Sequence, residues 1–201
     1  MKTTETEYYN NGQKMVEGNY KDGRLELMTT WWENGYKSDE RNYKNGKIEG
    51  LWTLWYRNGE KKKETNYKDS QEEGLHTEWW ENGHKKLEKN YKNGKVEGLV
   101  IWWYENGQKE SEGYFKNVKF DGLYTEWYEN GQKKAEGILK NGKEEGLWTL
   151  WYENGQKIEE VNNKNGKLEG LYTRWFENGQ KEFVKTYKNG TLILTFRNLV
   201  D

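Results

Sequence analysis

Apolar and polar residues alternate with a period of two through most of this chain, and Asn-Gly interrupts the alternation at regular steps. In Leu147-Trp148-Thr149-Leu150-Trp151-Tyr152, one side carries Leu147, Thr149 and Trp151. The other carries Trp148, Leu150 and Tyr152, as successive side chains of a strand do. Asn-Gly favours two-residue hairpin turns, because both central positions need positive φ. Proline is absent from the whole chain, which suits a sequence in which nearly every segment joins a ladder. The pattern predicts an all-β, antiparallel meander of about sixteen short strands.

The turns fall into two series. An aromatic pair followed by Glu-Asn-Gly, as in Trp31-Trp32-Glu33-Asn34-Gly35, places glycines at 12, 35, 59, 83, 107, 131, 155 and 179. From Gly35 onward the interval is always 24 residues; the first is 23, because Glu26-Leu27 lacks the Gly that follows Glu in later copies. Half a period away runs Lys-Asn-Gly, at Tyr43-Lys44-Asn45-Gly46, Tyr91-Lys92-Asn93-Gly94, Leu139-Lys140-Asn141-Gly142 and Tyr187-Lys188-Asn189-Gly190. Such periodicity marks a repeat protein. The reading is a single array over residues 1–201, with about eight repeats between roughly 8 and 196, a lead-in at 1–7 and a cap at 191–201. Its architecture is an elongated, single-layer antiparallel β-meander of tandem 24-residue hairpins.

The two strand faces differ in how they vary. One face is nearly constant: Leu51/Thr53/Trp55, Leu75/Thr77/Trp79, Leu123/Thr125/Trp127 and Leu171/Thr173/Trp175. Constancy reads as packing. The other face changes from copy to copy yet stays aromatic, and Trp52, Trp80, Trp102, Tyr124, Trp148 and Tyr172 are the residues expected to contact a partner. Packing of both faces, through sheet twist or pairing of two chains, is the competing reading. Glutamates recur at 17, 40, 64, 88, 112, 136 and 160, and acidic residues precede the mid-unit Gly at 49, 73, 97, 121, 145 and 169. Abundant Lys on nearby strands predicts cross-strand ion pairs for these rows. The Gly beside the second row predicts a bulge or a close backbone approach.

Composition sharpens the picture. Of the 201 residues, 32% are hydrophobic and 33% charged, a balance that alone suggests disorder. The 12 Trp and 15 Tyr argue otherwise, since large rings supply the buried area once repetition aligns them. A net charge of −1 lowers the expectation of nucleic-acid binding. There is no cysteine for disulfides or thiolate metal sites, and no apolar run long enough for a membrane span. Met1-Lys2-Thr3-Thr4-Glu5-Thr6-Glu7 has no signal-peptide core; the expectation is a cytoplasmic protein or one whose leader has been removed.

The units Tyr104-Glu105-Asn106-Gly107-Gln108-Lys109 and Lys143-Glu144-Glu145-Gly146-Leu147-Trp148 resemble MORN repeats, specifically the bacterial variant. The resemblance covers roughly residues 8–196 and implies a β-hairpin array that acts as scaffold or binding surface. Bacterial chains of this type are often labelled antitoxins, which implies inhibition by direct binding. Eukaryotic relatives imply membranes, phospholipids and homodimers. Asp69-Ser70 and Asn117-Val118 depart from Asn-Gly, and Val161-Asn162-Asn163 lacks the usual aromatic, so local irregularity is expected there.

Catalysis needs mismatched residues converging on one place, whereas polar residues here recur in every unit. No catalytic residue, metal ligand or cofactor is expected; His76 and His84 read as substituted repeat positions. The Lys-Asn-Gly-Lys rim, with Lys44, Lys47, Lys92, Lys95, Lys140, Lys143, Lys164 and Lys167, either keeps the turns soluble or steers an anion. Three functions follow: a protein-binding scaffold, inhibitor-like or antitoxin-like; a binder of anionic lipid; and a carbohydrate- or nucleic-acid-related module.

Overall fold

A computed structural model describes residues 1–197. The chain divides into two compact units, Met1–Glu97 and Gly98–Asp201, and the described residues contain strands and turns but no helix. The first unit holds β1 (Lys2–Tyr8), β2 (Lys14–Lys21), β3 (Arg24–Trp31), β4 (Lys37–Lys44), β5 (Lys47–Trp55), β6 (Lys61–Lys68), β7 (Gln71–Trp79), β8 (Lys85–Lys92) and β9 (Lys95–Val96). The second holds β10 (Gly98–Trp103), β11 (Lys109–Lys116), β12 (Lys119–Trp127), β13 (Lys133–Lys140), β14 (Lys143–Trp151), β15 (Lys157–Lys164), β16 (Lys167–Trp175), β17 (Lys181–Lys188) and β18 (Thr191–Arg197). Within each unit every strand pairs antiparallel with the next, a single-layer open meander of hairpins. Eighteen strands exceed sixteen partly because the lead-in is itself a strand, Lys2 pairing with Lys21. Of the expected cap, Thr191–Arg197 forms β18 and residues 198–201 lie outside the described residues.

Only one series of turns has the two-residue form. At Lys-Asn-Gly both central residues have positive φ, 52° and 77° at Asn45-Gly46 and 52° and 76° at Asn141-Gly142. The departures keep this geometry: Asp69-Ser70 lies at 52° and 66°, Asn117-Val118 at 52° and 64°. At Glu-Asn-Gly only the Gly is positive, 88° at Gly35. There the chain makes a wider wrap, with Gly35 N donating to Trp32 O at 2.9 Å and Trp32 N to Tyr36 O at 2.8 Å. Asn34 acts through its side chain instead: Oδ1 accepts from Tyr36 N at 3.2 Å, and Nδ2 donates to Arg57 O in the next repeat at 2.6 Å. Asn106, Asn130 and Asn154 repeat that bridge in the second unit. Asn is thus required here for hydrogen bonding, not for positive φ.

The mid-unit Gly does mark a bulge. Gly113 pairs with Tyr124 but Phe115 with Phe120, so residues 121–123 oppose a single residue, and Gly122 lies at φ 135°. The bulge directs the acidic residue before it toward the following repeat, where Asp121 accepts from Asn141 N at 3.1 Å and Glu145 from Asn165 N at 2.7 Å. Five of the six residues of this acidic row, Glu49, Glu73, Asp121, Glu145 and Glu169, therefore cap turns rather than forming cross-strand ion pairs. The other row is also not cross-strand: each Glu pairs with the Lys three residues earlier on its own strand, Lys109–Glu112 and Lys133–Glu136 both at 2.5 Å. Odd spacing ordinarily puts two strand residues on opposite faces. Here Trp127 pairs with Lys133 and Glu126 with Ala135, so Lys134 is an extra residue that returns Lys133 to the face of Glu136.

A single layer buries little, and much of what it buries is polar: Thr29, Thr53, Thr77, Thr125 and Thr149 are all buried beside the Glu row. The lysines of that row also cover the tryptophans, Lys109 Nζ lying 5.5 Å from the Trp127 ring and Lys61 Nζ 5.7 Å from Trp79, a favourable cation–π placement.

Candidate binding surface

The six aromatic residues expected to meet a partner do not form one free surface. In the second unit, Trp102, Tyr124 and Trp148 join a packed row through Phe120, with ring centroids at 6.2 Å (Trp102–Phe120), 5.1 Å (Phe120–Tyr124) and 6.2 Å (Tyr124–Trp148). Trp148 is only 7% exposed, and its Nε1 donates to Ile138 O at 3.1 Å. It fits because Gly137 on the neighbouring strand has no side chain; a Cβ there would stand 2.6 Å from Trp148 Cγ. Gly113 leaves room for Phe120 and Tyr124 in the same way. Tyr172 belongs to a separate cluster with Phe183 at 5.2 Å and Tyr187 at 6.3 Å.

Hydroxyls on this face are committed as well. Tyr124 donates to Glu126 at 2.8 Å and Tyr172 to Glu159 at 2.7 Å. Burial first, and the carboxylate partner second, push both phenols up to about 12, so they remain neutral donors.

In the first unit the same row is polar and tightly paired. Trp52 Nε1 donates to Asp39 at 3.1 Å, and the Arg41 guanidinium lies 4.4 Å from the ring. Arg41 holds Asp39 with two nitrogens, at 2.9 and 2.6 Å, and this bonding raises its pKa. His76, 2% exposed, lies between Thr65 Oγ1 at 2.8 Å from Nδ1 and Glu78 Oε1 at 3.0 Å from Nε2. The pairing fits a tautomer that accepts from Thr65 and donates to Glu78; it holds the Glu78 carboxyl below its ordinary value of 4.5. Trp80 sits at a turn, half-buried, with Lys86 Nζ 4.4 Å from its ring. Among the described residues no group of three or more His, Asp or Glu side chains is placed to hold a metal ion.

On the variable face Trp148 is buried, while Trp52, Trp80, Trp102, Tyr124 and Tyr172 are half-buried. The constant face is mixed: its Thr row is buried, but its Leu row is not. Leu51 and Leu75 are 37% and 45% exposed in the first unit, and Leu123, Leu147 and Leu171 are 51–55% exposed in the second. Ile138, which pairs with Leu123, and Tyr114 are half-exposed too. Nothing in the sequence pattern separated exposed Leu from buried Thr, because both recur at every copy. The turn-capping carboxylates left a usable signal that was missed: each stands twenty residues before the Asn or Asp it caps.

A comparison with curated proteins found no match. The family model described as MORN repeat variant matches residues 3–22, 48–69, 72–93, 96–117, 120–141, 144–165 and 168–189. From residue 48 onward each matched block runs through one Leu-Thr-Trp strand (Leu99-Ile101-Trp103 in the block 96–117), its Asn-Gly wrap and the polar strand that follows. Residues 23–47, which hold β3 and β4, lie between matches yet form the same kind of hairpin. With more than half of its length matched, the chain belongs to the MORN repeat variant family.

Proposed function

We propose that this repeat scaffold is non-catalytic and binds another protein, acting as an inhibitor-like or antitoxin-like partner, through the leucine row of its constant face. The carrying observation is the exposure of Leu123, Leu147 and Leu171, with Ile138 and Tyr114 beside them, in a chain of mean hydropathy −1.36. Apolar residues repeated along one face of so polar a molecule mark an interaction surface. The non-catalytic reading is supported by the carboxylates: among the described residues one repeated acidic row is held by lysines and five residues of the other by turn amides, rather than converging on a common space.

The test replaces Leu123, Leu147 and Leu171 together by Glu. Support requires a purified protein that binds the native chain at fixed stoichiometry and is lost by the variant, whose circular dichroism remains native. A partner that binds the variant equally well removes the leucine row; recovery of no stoichiometric partner removes the protein-binding reading.

A second reading, an anionic-lipid binder, is favoured by one feature. Lys116 pairs with Lys119, Lys140 with Lys143 and Lys164 with Lys167 across the turns, all exposed and without an ion pair among the described residues. Like charges placed opposite one another cost stability and are relieved by an anionic surface. Flotation with vesicles of graded phosphatidylserine content separates the two: binding that is independent of anionic lipid rejects this reading.

A further inference from the structure

In five of the two-residue hairpins, both central amides are closed by the preceding repeat. A carboxylate accepts from the first: Glu49 from Asp69 N, Glu73 from Asn93 N, Asp121 from Asn141 N, Glu145 from Asn165 N and Glu169 from Asn189 N, at 2.6–3.1 Å. A carbonyl accepts from the second, as Glu72 O does from Gly94 N at 3.0 Å and Phe120 O from Gly142 N at 2.8 Å. The hairpin at Asn45-Gly46 has the same backbone, φ 52° and 77°. Neither of its amides has an acceptor among the described residues, as is also the case at Asn117-Val118, where the unit has its full length.

At this hairpin the unit is one residue short. Glu26 stands where Glu49 and Glu73 stand in later copies, but no Gly follows it, and the bulge there is narrower: Asn19 pairs with Leu27 and Tyr20 with Leu25, a slip of one residue where the next copy slips by two. Glu26 is exposed. In place of the internal carboxylate there is a depression of about 460 Å³, lined by Lys21, Arg24, Lys44 and Asn45 together with Asp22 and Glu26. Asp22 is engaged by the Met1 amino group. The Arg24 guanidinium is already drawn to the turn, with NH1 3.4 Å from Asn45 Oδ1.

We propose that this depression binds a carboxylate supplied from outside the chain, in the position that an internal carboxylate fills in five other repeats. Asn45 and Arg24 line it, and both also line the adjoining depression with Gly46, which puts an amide and a guanidinium together, a donor set that carboxylates select. Lys21 and Lys44 add attraction at longer range. One carboxylate oxygen accepts from Asn45 N, as the internal carboxylates do from their counterparts, and the second oxygen faces Arg24. The ligand is a free carboxylate or the carboxylate of a peptide; the inference does not depend on the leucine row.

The test is an amide-resolved NMR titration of the full chain with sodium acetate, against sodium chloride at equal ionic strength. Asn45 and Gly46 amides should shift saturably with acetate only, while Asn93 and Gly94 stay fixed. Arg24→Gln should weaken the response roughly twofold to fivefold, the worth of one partly exposed charge contact. Inserting a Gly between Glu26 and Leu27 restores the 24-residue unit and should abolish the response by filling the site from within. A peptide with a free C-terminal carboxylate, compared with its carboxamide, separates the sources: tighter binding than acetate assigns the site to a peptide, equal binding to free carboxylates. No saturable shift, an equal shift with chloride, or movement of the Asn45 amide on Glu26→Gln without any ligand would overturn the proposal.

Discussion

Replacing Gly137 by Ala tests how the aromatic face is packed. Gly137 has an ordinary strand backbone without positive φ, so an added methyl meets no conformational obstacle and in isolation would stabilise by about 0.4–1 kcal/mol through the unfolded chain. Its Cβ, however, would lie 2.6 Å from Trp148 Cγ, with Cδ2 and Cε2 closer still. Carbon contacts settle near 3.5–4.0 Å, so the indole must move by roughly 1 Å or more. A ring that is 7% exposed and hydrogen-bonded to Ile138 O has little room to do so. Overpacking costs about 1–3 kcal/mol, and loss of the indole hydrogen bond adds about 1 kcal/mol. The net is a destabilisation of about 2 kcal/mol, or a fall in Tm of roughly 4–8 °C for a chain of this size. Thermal melts followed by tryptophan fluorescence measure it. The decisive control is the cycle with Trp148→Ala, in which Gly137→Ala should become neutral or stabilising. A Gly137→Ala protein that melts at or above the native temperature, or an equal loss in both backgrounds, would refute the packing argument.

Three further outcomes are expected. Val118→Gly relieves a β-branched residue held at φ 64°, and the left-handed cost of roughly 1–2 kcal/mol, less the added freedom of Gly, predicts a gain of about 1 kcal/mol, read as a higher urea midpoint at unchanged slope. Glu145→Ala removes the acceptor 2.7 Å from Asn165 N and should cost about 1–2 kcal/mol, whereas Glu145→Gln, which retains an acceptor, should lose less in the same urea titration. Tyr91, Tyr124 and Tyr172 are raised to about 12, with burial the largest cause in each case. Because the unfolded phenols ionise near 10, the unfolded state releases protons first. The stability linked to these groups is therefore complete below pH 10 and lost as pH rises toward 12; phenolate absorbance should show a late-titrating class that Tyr124→Phe reduces.

Strand positions and the Lys-Asn-Gly turns are legible because period-two alternation and positive-φ chemistry are local properties. What was not legible depends on the neighbouring repeat. Asn34 and Asn45 stand in the same dipeptide, yet one bridges to Arg57 O through its side chain and the other supplies a left-handed backbone. Abundant Lys on nearby strands predicts cross-strand ion pairs, but the extra residue Lys134 places Lys133 on the face of Glu136 and the pair forms within one strand. The aromatic face was assigned to a partner because variability was read as adaptation to something outside the chain. Gly137 beside Trp148 and Thr65 beside His76 show variation adapting to the next strand instead.

In a repeat protein, a departure carries information when it changes geometry, not when it changes a letter. Ser70 and Val118 replace glycines, yet their turns keep φ near 65°, because the flanking ladders Lys68–Gln71 and Lys116–Lys119 fix the hairpin and leave the turn to absorb strain. The missing residue after Glu26 changes no turn either: Asn45-Gly46 keeps the backbone of its counterparts. What it changes is the relation between repeats, because the bulge that presents a carboxylate to the next turn needs that residue. The hairpin is specified within its own sequence and the cap from twenty residues away, so a one-residue deletion removes the second and spares the first. The same deletion falls inside residues 23–47, the span that the family model leaves unmatched. If the proposed site depends on that one residue, restoring a Gly after Glu26 should cap Asn45 N from within and remove the carboxylate response without altering the Asn45-Gly46 backbone.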